Sequence, residues 1–86
     1  MTNVTVSIVD GTQKENVDWV TIDNVRWGDN GAAFGTTKTV TAGNQNLTVH
    51  KTTAQHTIGP QQVAIAGDAM IVNITVNDAT IIVQTA

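Results

Sequence analysis

The sequence predicts an all-β fold: a small antiparallel β-sandwich of seven or eight strands, in a single domain spanning residues 1–86. Three observations lead there. Thr, Val, Ile, Asn and Gln dominate while Leu, Glu and Lys are scarce, a composition that suits strands better than helices. No stretch carries the i, i+3, i+4, i+7 apolar stripe of an amphipathic helix. Short alternating segments are instead punctuated by turn-forming pairs such as Asp10-Gly11, Asp23-Asn24, Gly67-Asp68 and Asn77-Asp78.

The first strand is read from Val4, Val6 and Ile8 alternating with Thr5 and Ser7, and it ends at Asp10-Gly11-Thr12. A polar loop to about Asn16 follows. The run from Trp19 to Gly28 makes poor sense as one straight strand, because neither face is then apolar. Folded about Asp23-Asn24 as a two-residue turn, it pairs Ile22 with Val25, Thr21 with Arg26, Val20 with Trp27 and Trp19 with Gly28. Val20, Ile22, Val25 and Trp27 then share one face. Trp19, Thr21, Arg26 and Gly28 share the other, so one tryptophan goes to the core and its counterpart to the outside.

Residues 28–35 read as a glycine-rich loop pinned by Phe34. It is no phosphate cradle, since neither a Gly-Lys-Thr nor a helix follows. Strands are expected over 36–41 and 46–51, with a turn around Gly43-Asn44, and residues 52–59 form a polar segment ending at Pro60, which marks an edge or a crossover. The last third reads as a meander. Two-residue turns at Gly67-Asp68 and Asn77-Asp78 pair Ile65 with Met70, Val63 with Val72, Ile74 with Ile81 and Val72 with Val83, all on one face with Val76 and Ala79. Ile71 and Ile82 interrupt the opposite, polar face as neighbours. Strands of this number and spacing suggest Ig-like or prealbumin-like topology.

An 86-residue chain supports only a small core, and with 3% aromatics that core must come from Val, Ile, Leu and Ala around Trp27 and Phe34. A core so thin makes self-association an ordinary remedy, and Ile71 and Ile82 are the residues that would serve a homo-oligomer. The charged fraction is 13% and the net charge −3, with Lys14, Arg26, Lys38 and Lys51 the basic residues, so no nucleic-acid footprint or membrane-binding basic face is expected. Cysteine is absent, which removes disulfides, thiol chemistry and cysteine-ligated zinc. No apolar run approaches the roughly 20 residues of a membrane helix, and no export leader follows Met1. The expectation is a chain made without export or a module excised at Met1.

Catalysis finds little support. Ser7 is the one serine and lies within a strand, and no histidine neighbours a nucleophile in sequence. Asp10, Asp18, Asp23, Asp29, Asp68 and Asp78 fall mainly at turns, where Asp serves its own backbone. His50 and His56 match no zinc spacing and read as a solvated pair. Asp10, Glu15, Asn16 and Asp18 supply hard oxygen ligands in one region, the chemistry calcium favours, though without the Asp-rich loop of a dedicated site. Asn3, Asn46 and Asn73 each precede a threonine by two, which alternation in an Asn- and Thr-rich strand produces automatically. Trp19 is the strongest candidate: flanked by Asp18, Thr21 and Arg26, it would offer a sugar a flat platform with donors and acceptors at its rim. The other placement open to it is packing under the 28–35 loop or against another sheet.

Two resemblances sharpen these expectations. Val20-x-Ile22-Asp23-Asn24, Gly35-Thr36-Thr37, Ala42-Gly43-x-x-x-Leu47-x-Val49-x-Lys51 and Val63-x-Ile65-x-Gly67-Asp68-x-x-Ile71-x-Asn73-x-Thr75-Val76 together resemble the PEGA domain and the carboxypeptidase-regulatory-like sandwiches, over roughly residues 17–76. The Pro-Glu-Gly-Ala stretch that names the family is missing. The resemblance implies a non-catalytic surface or periplasmic module, with Gly43 and Gly67 at tight turns. More locally, Val4-Thr5-Val6, Asp10-Gly11-Thr12 and Val17-Asp18-Trp19-Val20 are similar to calcium-dependent xylan-binding modules, which implies Asp10 and Asp18 as calcium ligands. The expected function is a non-catalytic, extracellular or cell-surface module that binds a polysaccharide or surface glycan, or is adhesive, through Trp19, Thr21, Arg26 and Asp18. The competing expectation is a self-associating structural protein, such as a virion decoration or fibre component.

Overall fold

The computed structural model describes residues 1–12, 16–51, 56–77 and 80–85, and among them it contains eight strands and no helix. These are β1 (Thr2–Asp10), β2 (Val17–Ile22), β3 (Val25–Gly28), β4 (Thr37–Val40), β5 (Gly43–Lys51), β6 (His56–Ile65), β7 (Ala69–Val76) and β8 (Ile81–Thr85). They form two four-stranded sheets, ordered β4-β1-β7-β8 and β3-β2-β5-β6. One core lies between the sheets, and every strand contributes to it, from Val4 and Val6 of β1 to Ile81 of β8. Each fully buried Val, Leu or Ile there stabilises the fold by about 1.5–3 kcal/mol.

The central hairpin has the register that its sequence predicts, Trp19↔Gly28 through Ile22↔Val25. Asp23 (φ 50°) and Asn24 (φ 64°) both adopt the left-handed conformation of a primed turn, whose twist matches that of the strands. Val20, Ile22 and Trp27 are fully buried, and Val25 packs against the same core. The indole N–H of Trp27 donates to the Thr36 carbonyl at 2.8 Å, so its one polar atom is satisfied. Phe34 packs against the core beneath the 28–36 loop, and the Gly35 N–H of that loop donates to the Val6 carbonyl at 2.8 Å.

Several pairings differ from expectation. The sandwich is not wholly antiparallel, because β1 and β7 run parallel, from Asn3↔Ala69 onward. β6 and β7 do not form a hairpin, so the predicted pairs Ile65–Met70 and Val63–Val72 are absent; β6 pairs with β5 while β7 lies between β1 and β8. The chain crosses between sheets at residues 66–68. Thr2 holds the crossing by donating its hydroxyl to the Ala66 carbonyl, and the Asn3 N–H donates to Asp68 O at 3.0 Å. Another crossing replaces the turn expected around Gly43-Asn44, since β4 and β5 belong to different sheets. Residues 56–59, read as part of a polar connection, are the first part of β6, whose edge position accommodates Pro60.

β7 and β8 do pair, but two residues out of the expected register: Val76↔Ile81, Ile74↔Val83 and Thr75↔Ile82. A two-residue shift leaves every side chain on its predicted face. It separates Ile71 from Ile82, however. Both stay on the outer face, 47% and 53% exposed, but about 14 Å apart by strand geometry, so the expected neighbouring pair does not form. Ala79, expected on the inner face, and Glu15 lie outside the described residues.

Candidate functional site

The outer face of β3-β2-β5 is built by cross-strand neighbours. Trp19 pairs with Gly28 on one side and with His50 on the other, and Thr21 pairs with Arg26 and Thr48. The Trp19 and His50 rings stack with centroids 4.4 Å apart and planes inclined by 15°. The Arg26 guanidinium carbon lies 4.5 Å from the centroid of the Trp19 ring, and Arg26 also donates an Nη1 hydrogen bond to the Asp29 carbonyl at 3.2 Å. Arg26 and His50 come from strands on opposite sides of β2, so the half-buried indole stands between them and turns an edge outward. Each contact of this kind contributes about 0.5–1 kcal/mol at a solvated surface. Trp19 is therefore not an open platform; its faces are taken by Arg26 and His50.

Gly28 permits this arrangement. At φ 106°, it faces Trp19 where a Cβ would lie 2.4 Å from the Asp18 carbonyl oxygen, 2.8 Å from Trp19 Cα and 3.0 Å from Phe34 Cζ. Asp18 sits at a bulge in the pairing of β2 with β5, and its carbonyl accepts the Asp29 N–H at 3.0 Å. The strand is thereby stitched to the start of the 28–36 loop.

His50 is a correction to the solvated-pair expectation: its ring is half-buried on Trp19, while the His56 side chain lies outside the described residues. Burial, and secondarily the nearby Arg26 charge, holds the His50 pKa below its ordinary 6.5. Its membership of the site was hidden because it depends on the register between β2 and β5, strands nearly thirty residues apart.

Beyond the stack, about 7 Å further along β2 and β5, a shallow cup of about 290 Å³ opens. Thr21 and Thr48 supply hydroxyls, Gln45 and Asn46 amides, the turn contributes Asp23 and Asn24, and Pro60 leans in from β6. Gln62 Nε2 donates to Asn46 Oδ1 at 2.6 Å, and Gln45 Nε2 to the Thr41 carbonyl at 2.9 Å, so both amides are held in place. The hydroxyl- and amide-lined cup beside this stack can exchange hydrogen bonds with the hydroxyls of a polyhydroxylated ligand.

Asp10 and Asp18 do not by themselves make up a calcium site. They stand on strands of opposite sheets, and one Asp10 carboxylate oxygen accepts the Gly11 N–H at 2.8 Å. Calcium takes six to eight oxygen ligands. No group of three or more His, Asp or Glu able to hold a metal occurs among the described residues.

Compared with known protein families, with curated proteins and with solved structures, the chain matches none.

Proposed function

We propose that this chain is a non-catalytic glycan-binding module of a cell-surface or secreted protein. The observation that carries the reading is the outer face of β3-β2-β5, where the Arg26–Trp19–His50 stack adjoins the Thr21/Thr48 cup. In this reading Thr21 and Arg26 contact the ligand from the outer face, Trp19 acts as the spine of that face, and Asp18 shapes it through the bulge. The connectivity favours a prealbumin-like sandwich of the PEGA or carboxypeptidase-regulatory-like kind. In an Ig constant-type domain the first two strands share a sheet, whereas here β1 and β2 lie in opposite sheets. Gly43 and Gly67, which that resemblance places at tight turns, instead fall where the chain crosses between sheets.

The test is a polysaccharide screen read by tryptophan emission in the wild type, with binding by wild type and the Trp19→Ala variant then compared by isothermal titration calorimetry. Trp27 is fully buried, so a ligand-induced change reports on Trp19. Trp19→Ala should keep the fold and lose binding. Unaltered binding by that variant would remove the stack from the site.

The self-associating structural protein is a second reading, favoured by Val9, Ile71 and Ile82, which are exposed on the outer face of β4-β1-β7-β8. Light scattering across a concentration series separates the two. A monomer agrees with the binding module, while an oligomer dispersed by Ile82→Asp would establish the structural protein instead.

A further inference from the structure

A second depression, of about 550 Å³, opens between the edge strands β3 and β4. Val25 and Ala32 give it an apolar floor, and Arg26 and Lys38 line it with Thr39. Two of the four basic residues of the chain meet there, and among the described residues no carboxylate is in its lining. The neighbouring cup has the opposite character, holding the Asp23 carboxylate and, among the described residues, no cation. Asn24, at the tip of the hairpin, lines both, so the two depressions form one path over the turn.

We propose that this path takes an acidic polysaccharide, a proposal that rests on the glycan-binding reading. A carboxylate or sulfate sits between Arg26 and Lys38 while an adjoining uncharged sugar unit occupies the cup. Arg26 is suited to the first task, because the hydrogen bond to Asp29 O and the contact with Trp19 already hold its guanidinium, and much of its five-donor fork is left for an anion. Asp23 sets the spacing. A polymer charged on every unit would press an anion against that carboxylate, whereas one charged on every second unit would not.

The net charge of −3 does not oppose this at physiological salt, where the screening length is about 8 Å and distant carboxylates contribute little beside two cations in contact. A nucleic acid is a poorer occupant. Its charge repeats at every nucleotide, and this surface offers one cationic pair.

The experiment compares binding of hyaluronan, in which acidic and neutral units alternate, with polygalacturonate and with uncharged dextran, for wild type, Lys38→Met and Lys38→Glu. Lys38 is exposed on an edge strand, so both variants should fold, which circular dichroism checks. Wild type should bind hyaluronan more tightly than either other polymer. Lys38→Met should weaken that binding about two- to fivefold, the usual range for one solvated charge contact, with dextran unaffected. Lys38→Glu should weaken it further. Dextran binding as well as hyaluronan, or a hyaluronan preference unchanged in both variants, would overturn the anionic subsite but leave the glycan module standing. Polygalacturonate equalling hyaluronan would overturn the spacing set by Asp23. Failure of all three polymers to bind at millimolar sugar concentration would count against the glycan reading itself, and the subsite with it.

Discussion

Replacing Gly28 by alanine tests the geometry on which the outer face depends. The new Cβ would lie 2.4 Å from the Asp18 carbonyl oxygen and 2.8 Å from Trp19 Cα, both backbone atoms of β2, which can yield only if β2 and β3 separate. Holding alanine at φ 106° costs about 1–3 kcal/mol, and relieving the overlap costs about 1–3 kcal/mol more. The sum is a large fraction of the roughly 4–13 kcal/mol expected of a chain of 86 residues. Gly43 is the internal control: its φ of 108° is nearly the same, yet a Cβ there meets nothing within 4 Å. Gly43→Ala should therefore carry the backbone cost alone. Urea unfolding followed by Trp27 emission, compared at constant m-value, should place Gly28→Ala about 1–3 kcal/mol below Gly43→Ala. Equal losses in the two variants would refute the claim that crowding against β2, rather than backbone strain, makes Gly28 necessary.

Three further outcomes follow from the same framework. Asn24→Ala should lose about 1–2 kcal/mol, because alanine resists the left-handed conformation held there at φ 64°, while Asn24→Gly should stay near wild type; thermal denaturation distinguishes them, and indistinguishable variants would contradict the primed turn. Trp27→Phe should lose about 1–3 kcal/mol in urea, since it removes the donor to the Thr36 carbonyl from a part-buried site, and a neutral effect would mean that water replaces that bond. His50 is held below 6.5 by burial and then by Arg26, so as pH falls the unfolded chain takes up the proton before the folded one. Its contribution is complete above about pH 6.5 and declines below it, towards the folded pKa. His50→Gln should flatten the melting temperature against pH in that window, and an unchanged slope would remove His50 as its source.

The hairpin shows what is readable in a chain of this kind. Its turn, register and division of Trp27 from Trp19 all follow from ten consecutive residues, because a two-residue turn leaves only one pairing. The inward residues of the last third, from Val63 to Ile81, were legible for a related reason: alternation of period two assigns each side chain to a face. The same period is blind to partners. Val63 and Ile65 point into the core whether β6 turns back on β7 or crosses from the opposite sheet, and Ile74 faces inward whether it meets Ile81 or Val83.

What lay beyond local pattern was every contact between strands distant in the chain. The parallel pairing of β1 with β7 joins the two ends of the fold, and the seating of His50 on Trp19 needs the register of β2 against β5. The groove between Arg26 and Lys38 exists only because β3 and β4 stand at the same edge of opposite sheets. Faces are decided by each strand's own alternation, whereas partners are decided by packing two whole sheets around one core, a choice that no short segment carries.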